Sequence, residues 1–172
     1  PQDRSSAASD VYKRQGLSQK NGAVTSQIRI TKSEDLSLRM SRIPDGEADL
    51  LLACDAVVGV ADNSLKTLSK NKSQAIINID VDPVGVVGFG NGTTVPEKVI
   101  FSRLEKFLDS KKFSTYNIQQ ICESLMGNKV TANVMMLGIA LQKGMIPISV
   151  ASVEKALTLN GASVQDNLIA LE

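Results

Sequence analysis

Two hydrophobic patterns divide the chain: short continuous apolar runs in its first two thirds, and apolar positions at helical spacing in its last third. The runs Leu50–Cys54 and Gln74–Pro83 are typical of parallel strands buried on both faces, and Pro83 stops the second. Strands are also predicted at Ile28–Thr31, where apolar residues alternate, and at Phe113–Tyr116. We therefore expect a sheet of mostly parallel strands.

Helical spacing begins at Glu97–Asp109 and dominates the chain after residue 117. The order of strands and helices predicts an α/β fold with an open, mostly parallel sheet, Rossmann-like layers and a helical C-terminal extension. Helix starts and stops are predicted from capping residues. Two short helices are predicted to begin at Asp55 and at Asp62 or Asn63. Three longer helices are predicted to begin and end at Asn117 and Gly127, at Thr131 and Gly144, and at Ser149 and Gly161. A capping box at Ser163–Asp166 predicts the start of the last helix.

The segment Thr131–Lys143 is apolar on almost every side. A helix on a protein surface normally keeps one polar side. We therefore predict that one side of this helix packs on the sheet and another on a neighbouring helix or domain.

The first fifteen residues, Pro1–Gln15, differ from the rest because they are polar and have no periodicity. Part of them, SSAASDVYKRQ, resembles a translated sequencing adapter. We predict that residues 1–15 are an appended, non-native or disordered segment that packs against nothing, and that the folded domain spans residues 16–172.

Composition excludes several classes of function. The chain has no histidine, which rules out a Ser–His–Asp triad, a Cys–His dyad and any His-ligated metal site within it. A net charge of +1 and 3% aromatic residues predict no binding surface for nucleic acid. No apolar run approaches the roughly 20 residues of a membrane span, and no signal-peptide core is visible. Cys54 and Cys122 lie in apolar segments, so we expect two buried thiols and a cytoplasmic location.

Three motifs suggest chemistry, and each has a plainer interpretation. The stretch Gly85–Gly92 departs from G-x-G-x-x-G and does not open a helix directly, so we interpret it as a surface loop. Asp80 and Asp82 have the spacing of a metal pair, but solvated loop carboxylates are commoner. No neighbouring lysine lowers the pKa of the Cys54 thiol, which favours a structural role. We predict no catalytic residue and no metal ligand in this chain.

The turn before the first predicted strand is the best candidate for a binding site. Lys20, Asn21 and Gly22 offer an ammonium group, an amide and a closely approachable backbone N–H. This combination suits a phosphate or a carboxylate, although a plain turn has the same composition.

Four segments, in this order, resemble the gamma domain of 2-oxoacid:ferredoxin oxidoreductases, most closely that of indolepyruvate:ferredoxin oxidoreductase. They are QKNGAVTSQIRI, DGEADLLLACD, NKVTANVMMLGIALQKGMIPIS and VEKALTLNGASVQDN, and the resemblance covers Gly16 to about Asn167. The glycine pair usual in that family is Gly22-Ala23 here. The family's opening strand and glycine-rich turn are missing, which implies a fragment truncated at both ends.

The resemblance implies an enzyme that decarboxylates a 2-oxo acid on thiamine diphosphate. Such enzymes pass electrons through iron–sulfur clusters to ferredoxin and transfer the acyl group to coenzyme A. The implied partners are the thiamine- and cluster-bearing domains or subunits and ferredoxin, with no nucleic acid and no membrane. By itself this domain would bind no cofactor and be inactive. Lys20, Asn21 and Gly22 would lie near coenzyme A. The alternatives are a gamma subunit acting on pyruvate or branched-chain 2-oxo acids and a non-catalytic α/β interaction module.

Overall fold

A computed structural model describes residues 11–15, 24–30, 42–80 and 96–172, with the backbone alone for 11–15. The chain divides into two compact units, Pro1–Asp45 and Gly46–Glu172. Each unit is described by itself.

The first unit contains a two-stranded antiparallel sheet. Strand β1, Val11–Gln15, pairs with strand β2, Ser26–Ile30, and the register places Val11 opposite Ile30. The predicted strand at Ile28–Thr31 is therefore present but begins two residues earlier. Residues 1–15 were predicted to pack against nothing, but Val11–Gln15 pairs with β2. That residues 1–15 are appended stays a prediction.

Deletion of Pro1–Gln15 tests that prediction. We expect the midpoint of thermal unfolding to stay unchanged within error, because a lone two-stranded sheet is marginally stable in water and its loss removes little stability. The measurement is calorimetry of the full chain beside the shortened one. A fall of several degrees would show that β1 belongs to the fold.

The second unit is a three-stranded parallel sheet with helices. Its strands are β3, Leu50–Ala53, β4, Gln74–Asn78, and β5, Phe113–Tyr116, in the spatial order β3-β4-β5. The described helices are α1, Ala56–Gly59, α2, Asp62–Leu65, α3, Glu97–Leu104, α4, Ile118–Met126, α5, Ala132–Gln142, α6, Val150–Asn160, and α7, Val164–Leu171. The predicted α/β class, parallel sheet and helical C-terminal part are confirmed.

The middle strand β4 is buried on both faces, and helices cover each face. Successive residues of a strand point to opposite faces, so Ile76 and Ile77 mark the two sides. Both are fully buried. Ile77 faces α1, because a Cβ added to Gly59 of that helix would come within 3.8 Å of the Ile77 Cδ1 atom and closer than 3.0 Å to the Ala53 Cβ atom. Ile76 belongs to a buried cluster formed with the C-terminal helices: Ile118, Cys122, Ala132, Met135, Met136, Ala140 and Ala170.

Helix α5 is the central helix of that cluster. It packs against α4 and α7, and Met135 and Met136 belong to the same buried cluster as Ile76 of the sheet. Gly138 allows the closest approach, because an added Cβ would lie closer than 3.0 Å to the backbone carbonyl of Leu171. The predicted packing of this helix on neighbouring helices is confirmed, and the buried cluster that it shares with Ile76 agrees with the predicted packing on the sheet.

Several predicted helix ends are present as expected. The Asp55 carboxylate accepts hydrogen bonds from the N–H groups of Val57 and Val58 at the start of α1. The Ser149 hydroxyl accepts one from Ser152 at the start of α6. Gly127 and Gly161 end their helices in the left-handed conformation, which other residues rarely adopt.

Other predicted ends are wrong. The capping box at Ser163–Asp166 does not form, because Ser163 lies in the left-handed region with φ of 43° and its side chain accepts no capping bond. Ala61, not Asp62 or Asn63, is the capping residue of α2. Helix α3 ends at Leu104 rather than Asp109.

Thr131 precedes α5 but does not cap it with its side chain, since its buried hydroxyl lies 3.1 Å from the Cys122 sulfur and 3.2 Å from the Met126 sulfur. Because the hydroxyl contacts these two sulfur atoms in the core, it accepts no hydrogen bond from the first N–H groups of α5. Packing therefore overrides the capping preference at this position.

Candidate functional site

The predicted binding residues Lys20, Asn21 and Gly22 lie outside the described residues, and so do Gly85–Gly92 and Asp82. Their assignment stays a prediction. The described part of the chain offers another region for inspection. In open α/β sheets, ligands bind at the carboxyl ends of the parallel strands.

The buried side chain of Asn78 ties this carboxyl edge together. Its amide nitrogen donates to the backbone carbonyl of Cys54, after β3, at 3.1 Å. Its Oδ1 atom accepts from the N–H groups of Ile118, at the start of α4, at 3.1 Å and of Asp80 at 3.2 Å. Asn78 is only 2% exposed, and every polar atom of its side chain has a partner. The ends of β3 and β4 and the start of α4 are thus held in one arrangement.

Asp80 occupies the N-terminus of α4. Its Oδ2 atom accepts hydrogen bonds from the N–H groups of Gln119 at 2.6 Å and Gln120 at 3.2 Å. The half-buried carboxylate therefore stabilises the positive end of the helix rather than remaining a fully solvated loop charge. Asn117, predicted as the cap, makes no side-chain capping bond, because Asp80 and Asn78 already satisfy the N–H groups that it would cap.

The two cysteines differ in environment. Cys122 is buried, as predicted, whereas the prediction for Cys54 is wrong, since this residue is exposed at the end of β3. Partial burial of its sulfur nevertheless raises the pKa of the Cys54 thiol, its own backbone N–H partly offsets this, and the Asp55 carboxylate raises the pKa further. Burial of the sulfur dominates the pKa even though the residue as a whole reaches solvent. A thiol with a raised pKa is poorly nucleophilic near neutral pH.

Metal binding finds no support among the described residues, where no three cysteine, aspartate or glutamate side chains come together. Asp80 has the spacing of a metal pair with Asp82, but its carboxylate accepts a hydrogen bond from the start of α4.

An open depression of about 560 Å³ lies beside this edge, between the end of β5 and α4. Its polar lining consists of hydroxyl and amide groups from Thr115, Tyr116, Asn117, Gln120 and Ser124. Its apolar lining comes from Ile121 and Leu125 of α4. None of these side chains carries a charge, so the depression suits a neutral ligand better than an ion.

The sequence model of the pyruvate ferredoxin/flavodoxin oxidoreductase family matches residues 7–172. The chain belongs to this family. A search of curated proteins gave no match.

Membership makes the chain a domain of a 2-oxoacid:ferredoxin oxidoreductase in the general sense. The matched range includes β1, Val11–Gln15, within the segment predicted to be appended. None of the helices in the described ranges is both long enough and apolar enough to cross a membrane.

Sequence reasoning missed the role of Asn78 in this oxidoreductase domain. The signal was an amide side chain directly after the apolar run Ala75–Ile77. A buried polar side chain requires hydrogen-bond partners, so Asn78 was a candidate for joining neighbouring strand ends. Its actual partners, Cys54 and Ile118, lie 24 and 40 residues away in sequence.

Proposed function

We propose that this chain is part of an indolepyruvate-type 2-oxoacid:ferredoxin oxidoreductase. The reaction is the oxidative decarboxylation of a 2-oxo acid to an acyl-coenzyme A with reduction of ferredoxin. The observation that carries the proposal is the family match over residues 7–172. The indolepyruvate subtype rests on the resemblance of the four sequence segments described above.

The domain contributes structure and part of the coenzyme A site. Lys20 supplies an ammonium group to the phosphates of coenzyme A, while Asn21 and the backbone N–H of Gly22 add neutral hydrogen bonds. Charge-assisted hydrogen bonds of this kind are about twice as strong as neutral ones.

Iron–sulfur chemistry belongs to other domains of the enzyme. A cluster is held by Cys thiolates, ordinarily about four. This chain has only two cysteines, and Cys122 is buried against the Thr131 hydroxyl. The residues of this chain therefore do not fit a cluster. We place thiamine diphosphate in the partner domains as well, and assign no chemical step to this chain.

A gamma-type domain acting on pyruvate is the second candidate. The observation in its favour is the description of the matching family, which names pyruvate. Rates of ferredoxin reduction by the complete enzyme with indolepyruvate, pyruvate and a branched-chain 2-oxo acid distinguish the subtypes.

Lys20→Ala in the complete enzyme tests the coenzyme A assignment. Loss of a charge-assisted hydrogen bond costs about 1.5–3 kcal/mol, which corresponds to roughly tenfold to more than a hundredfold in affinity. We expect the Michaelis constant for coenzyme A to rise by that factor at low salt and by less at high salt, since salt weakens the attraction between an ammonium group and phosphates. Reduction of the clusters by the 2-oxo acid, measured without coenzyme A, should not change.

Lys155→Ala is the matched control, because it removes an exposed lysine from α6 of the same chain. It should leave the rate of cluster reduction and the Michaelis constant for coenzyme A unchanged. An unchanged Michaelis constant in Lys20→Ala at low salt would remove Lys20 from the coenzyme A site.

A further inference from the structure

Strand β5 has an outer edge with no partner strand in the described part of the chain. It is the last strand of the β3-β4-β5 sheet, and its Tyr116 carbonyl accepts a hydrogen bond from the N–H group of Ile79 at 2.9 Å. Because the backbone groups of successive strand residues point to opposite edges, those of Thr115 point away from β4. Among the described residues, nothing bonds to the N–H and C=O groups of Thr115.

The usual protection of an edge strand is missing from β5. Exposed edges are commonly blunted by charged side chains or proline, because unpaired N–H and C=O groups otherwise attract another strand. The sequence of β5, FSTY, contains neither. The Lys143 ammonium donates to the Ser114 Oγ atom at 3.1 Å and lies 5.9 Å from the centre of the Tyr116 ring. These side chains point to one face of the sheet, so Lys143 is held over that face and leaves the edge uncovered.

Apolar side chains lie beside this unpaired edge. Ile121 and Leu125 of α4 are 38% and 74% exposed, and they line the same depression as Thr115 and Tyr116. A partner that pairs with β5 therefore satisfies backbone groups and covers apolar surface at the same time.

We propose that β5 and α4 form an interface with a second copy of this chain, in which the two β5 strands pair antiparallel across a twofold axis. Such an interface is isologous, so each copy has to offer what the other needs. Strand β5 offers the unpaired backbone groups, and α4 offers the exposed apolar side chains. No side chain that lines the depression is charged, so the contact of two identical surfaces creates no repulsion between like charges there.

The twofold axis brings identical elements together. Antiparallel pairing of two edge strands continues the sheet from one copy into the other, with the axis perpendicular to the sheet. The N–H and C=O groups of Thr115 in each copy then bond to the strand of the other. Because the face that carries α4 is the same in both copies, Leu125 of one copy approaches α4 of the other.

The expected association is weak. An interface of one four-residue strand and a few side chains belongs to the smallest class, below roughly 1,200 Å² of buried surface. We expect a dissociation constant on the order of 100 µM. The chain should then be mostly monomeric at about 5 µM and mostly dimeric at about 1 mM. Unfolding measured at the lower concentration reports on the monomer.

Sedimentation velocity of the full chain over that concentration range tests the proposal. The average mass should rise towards that of two copies and no further, because an isologous interface closes at two. In NMR spectra, the backbone amides whose shifts change with concentration should cluster in residues 113–125. A monomer at every concentration, or growth to larger species, would overturn the proposal.

Two substitutions disturb the two parts of the interface separately. Leu125→Glu should weaken association at least about tenfold, because the axis brings two added carboxylates to one apolar surface. Thr115→Pro removes an N–H group that β4 does not use, so the fold should survive, since proline is tolerated on an edge strand. It should weaken association by a similar factor, because the partner strand loses a donor.

Leu159→Glu is the matched control. Leu159 is 78% exposed on α6, comparable with Leu125, and does not line the depression. This variant should associate like the unaltered chain. Association of Leu125→Glu as strong as that of Leu159→Glu would show that α4 is not in the interface and would overturn the proposal.

Hydrogen exchange of the Thr115 amide in the complete enzyme identifies a different occupant of the edge. Slow exchange there, combined with a chain that stays monomeric by itself, would assign the edge to a strand of another domain. That outcome would overturn the second copy as the partner of β5.

Discussion

Met136→Glu is expected to prevent the chain from folding to its native structure. Met136 is 1% exposed on α5, inside the cluster that also contains Ile76 of the sheet. A carboxyl group there has to lose its hydration without a hydrogen-bond partner, or remain protonated at a similar cost. We expect destabilisation of more than about 4 kcal/mol, at the extreme end of single substitutions. The chain should aggregate on expression and show no dispersed NMR spectrum.

Two variants make that result interpretable. Met136→Leu conserves volume and apolar character and should cost less than about 1.5 kcal/mol. Leu125→Glu introduces the same charge on an exposed helical position and should leave the unfolding midpoint close to that of the parent chain. A soluble Met136→Glu protein with a cooperative transition near the parent midpoint would show that α5 does not pack as described.

Gly138→Ala is expected to destabilise the fold although alanine is the better helix former. The exchange contributes about 1 kcal/mol in favour of the helix through propensity alone. The added Cβ, however, would lie closer than 3.0 Å to the carbonyl oxygen of Leu171, and a backbone atom cannot swing aside as a side chain can. Helix α7 must therefore move away from α5, and its buried residues Ala170 and Leu171 lose contact. We expect a net loss of about 2 kcal/mol, measured by urea unfolding.

Asn133→Ala provides the comparison on the same helix. Asn133 is exposed, so alanine there adds helix propensity without a clash and should be neutral or slightly stabilising. Equal stability of Gly138→Ala and the parent chain would mean that α5 and α7 are not in close contact.

The described strands of the parallel sheet were predictable because their signal is local. Leu50–Ala53 is an uninterrupted apolar run, Gln74–Asn78 contains the apolar run Ala75–Ile77, and Phe113–Tyr116 was predicted with its observed bounds. The stops at Gly127 and Gly161 were equally local, because glycine adopts the left-handed conformation at little cost. Burial was less predictable: α6 begins and ends where its capping residues predict, yet none of its residues is buried.

Helix caps and the carboxyl edge depended on groups distant in sequence. Asn117 and Thr131 have the composition of caps, yet Asp80 and Asn78 take the N–H groups of α4, and the Thr131 hydroxyl lies against two sulfur atoms. No local pattern contains this information, because side chains about 40 residues apart compete for the same donors only after the strands have aligned.

The sequence by itself determined the α/β class, the parallel strands, and the absence of histidine-dependent chemistry, because apolar periodicity and composition act without reference to distant residues. Its resemblance to the 2-oxoacid:ferredoxin oxidoreductases agrees with the family to which the chain belongs. The tertiary structure alone decided that Asn78 joins two strand ends to a helix, that Asp80 neutralises the start of α4, and that Leu125 lines an uncharged depression. Each of these depends on which backbone groups meet at the edge of the sheet, and that is settled by packing rather than by local preference.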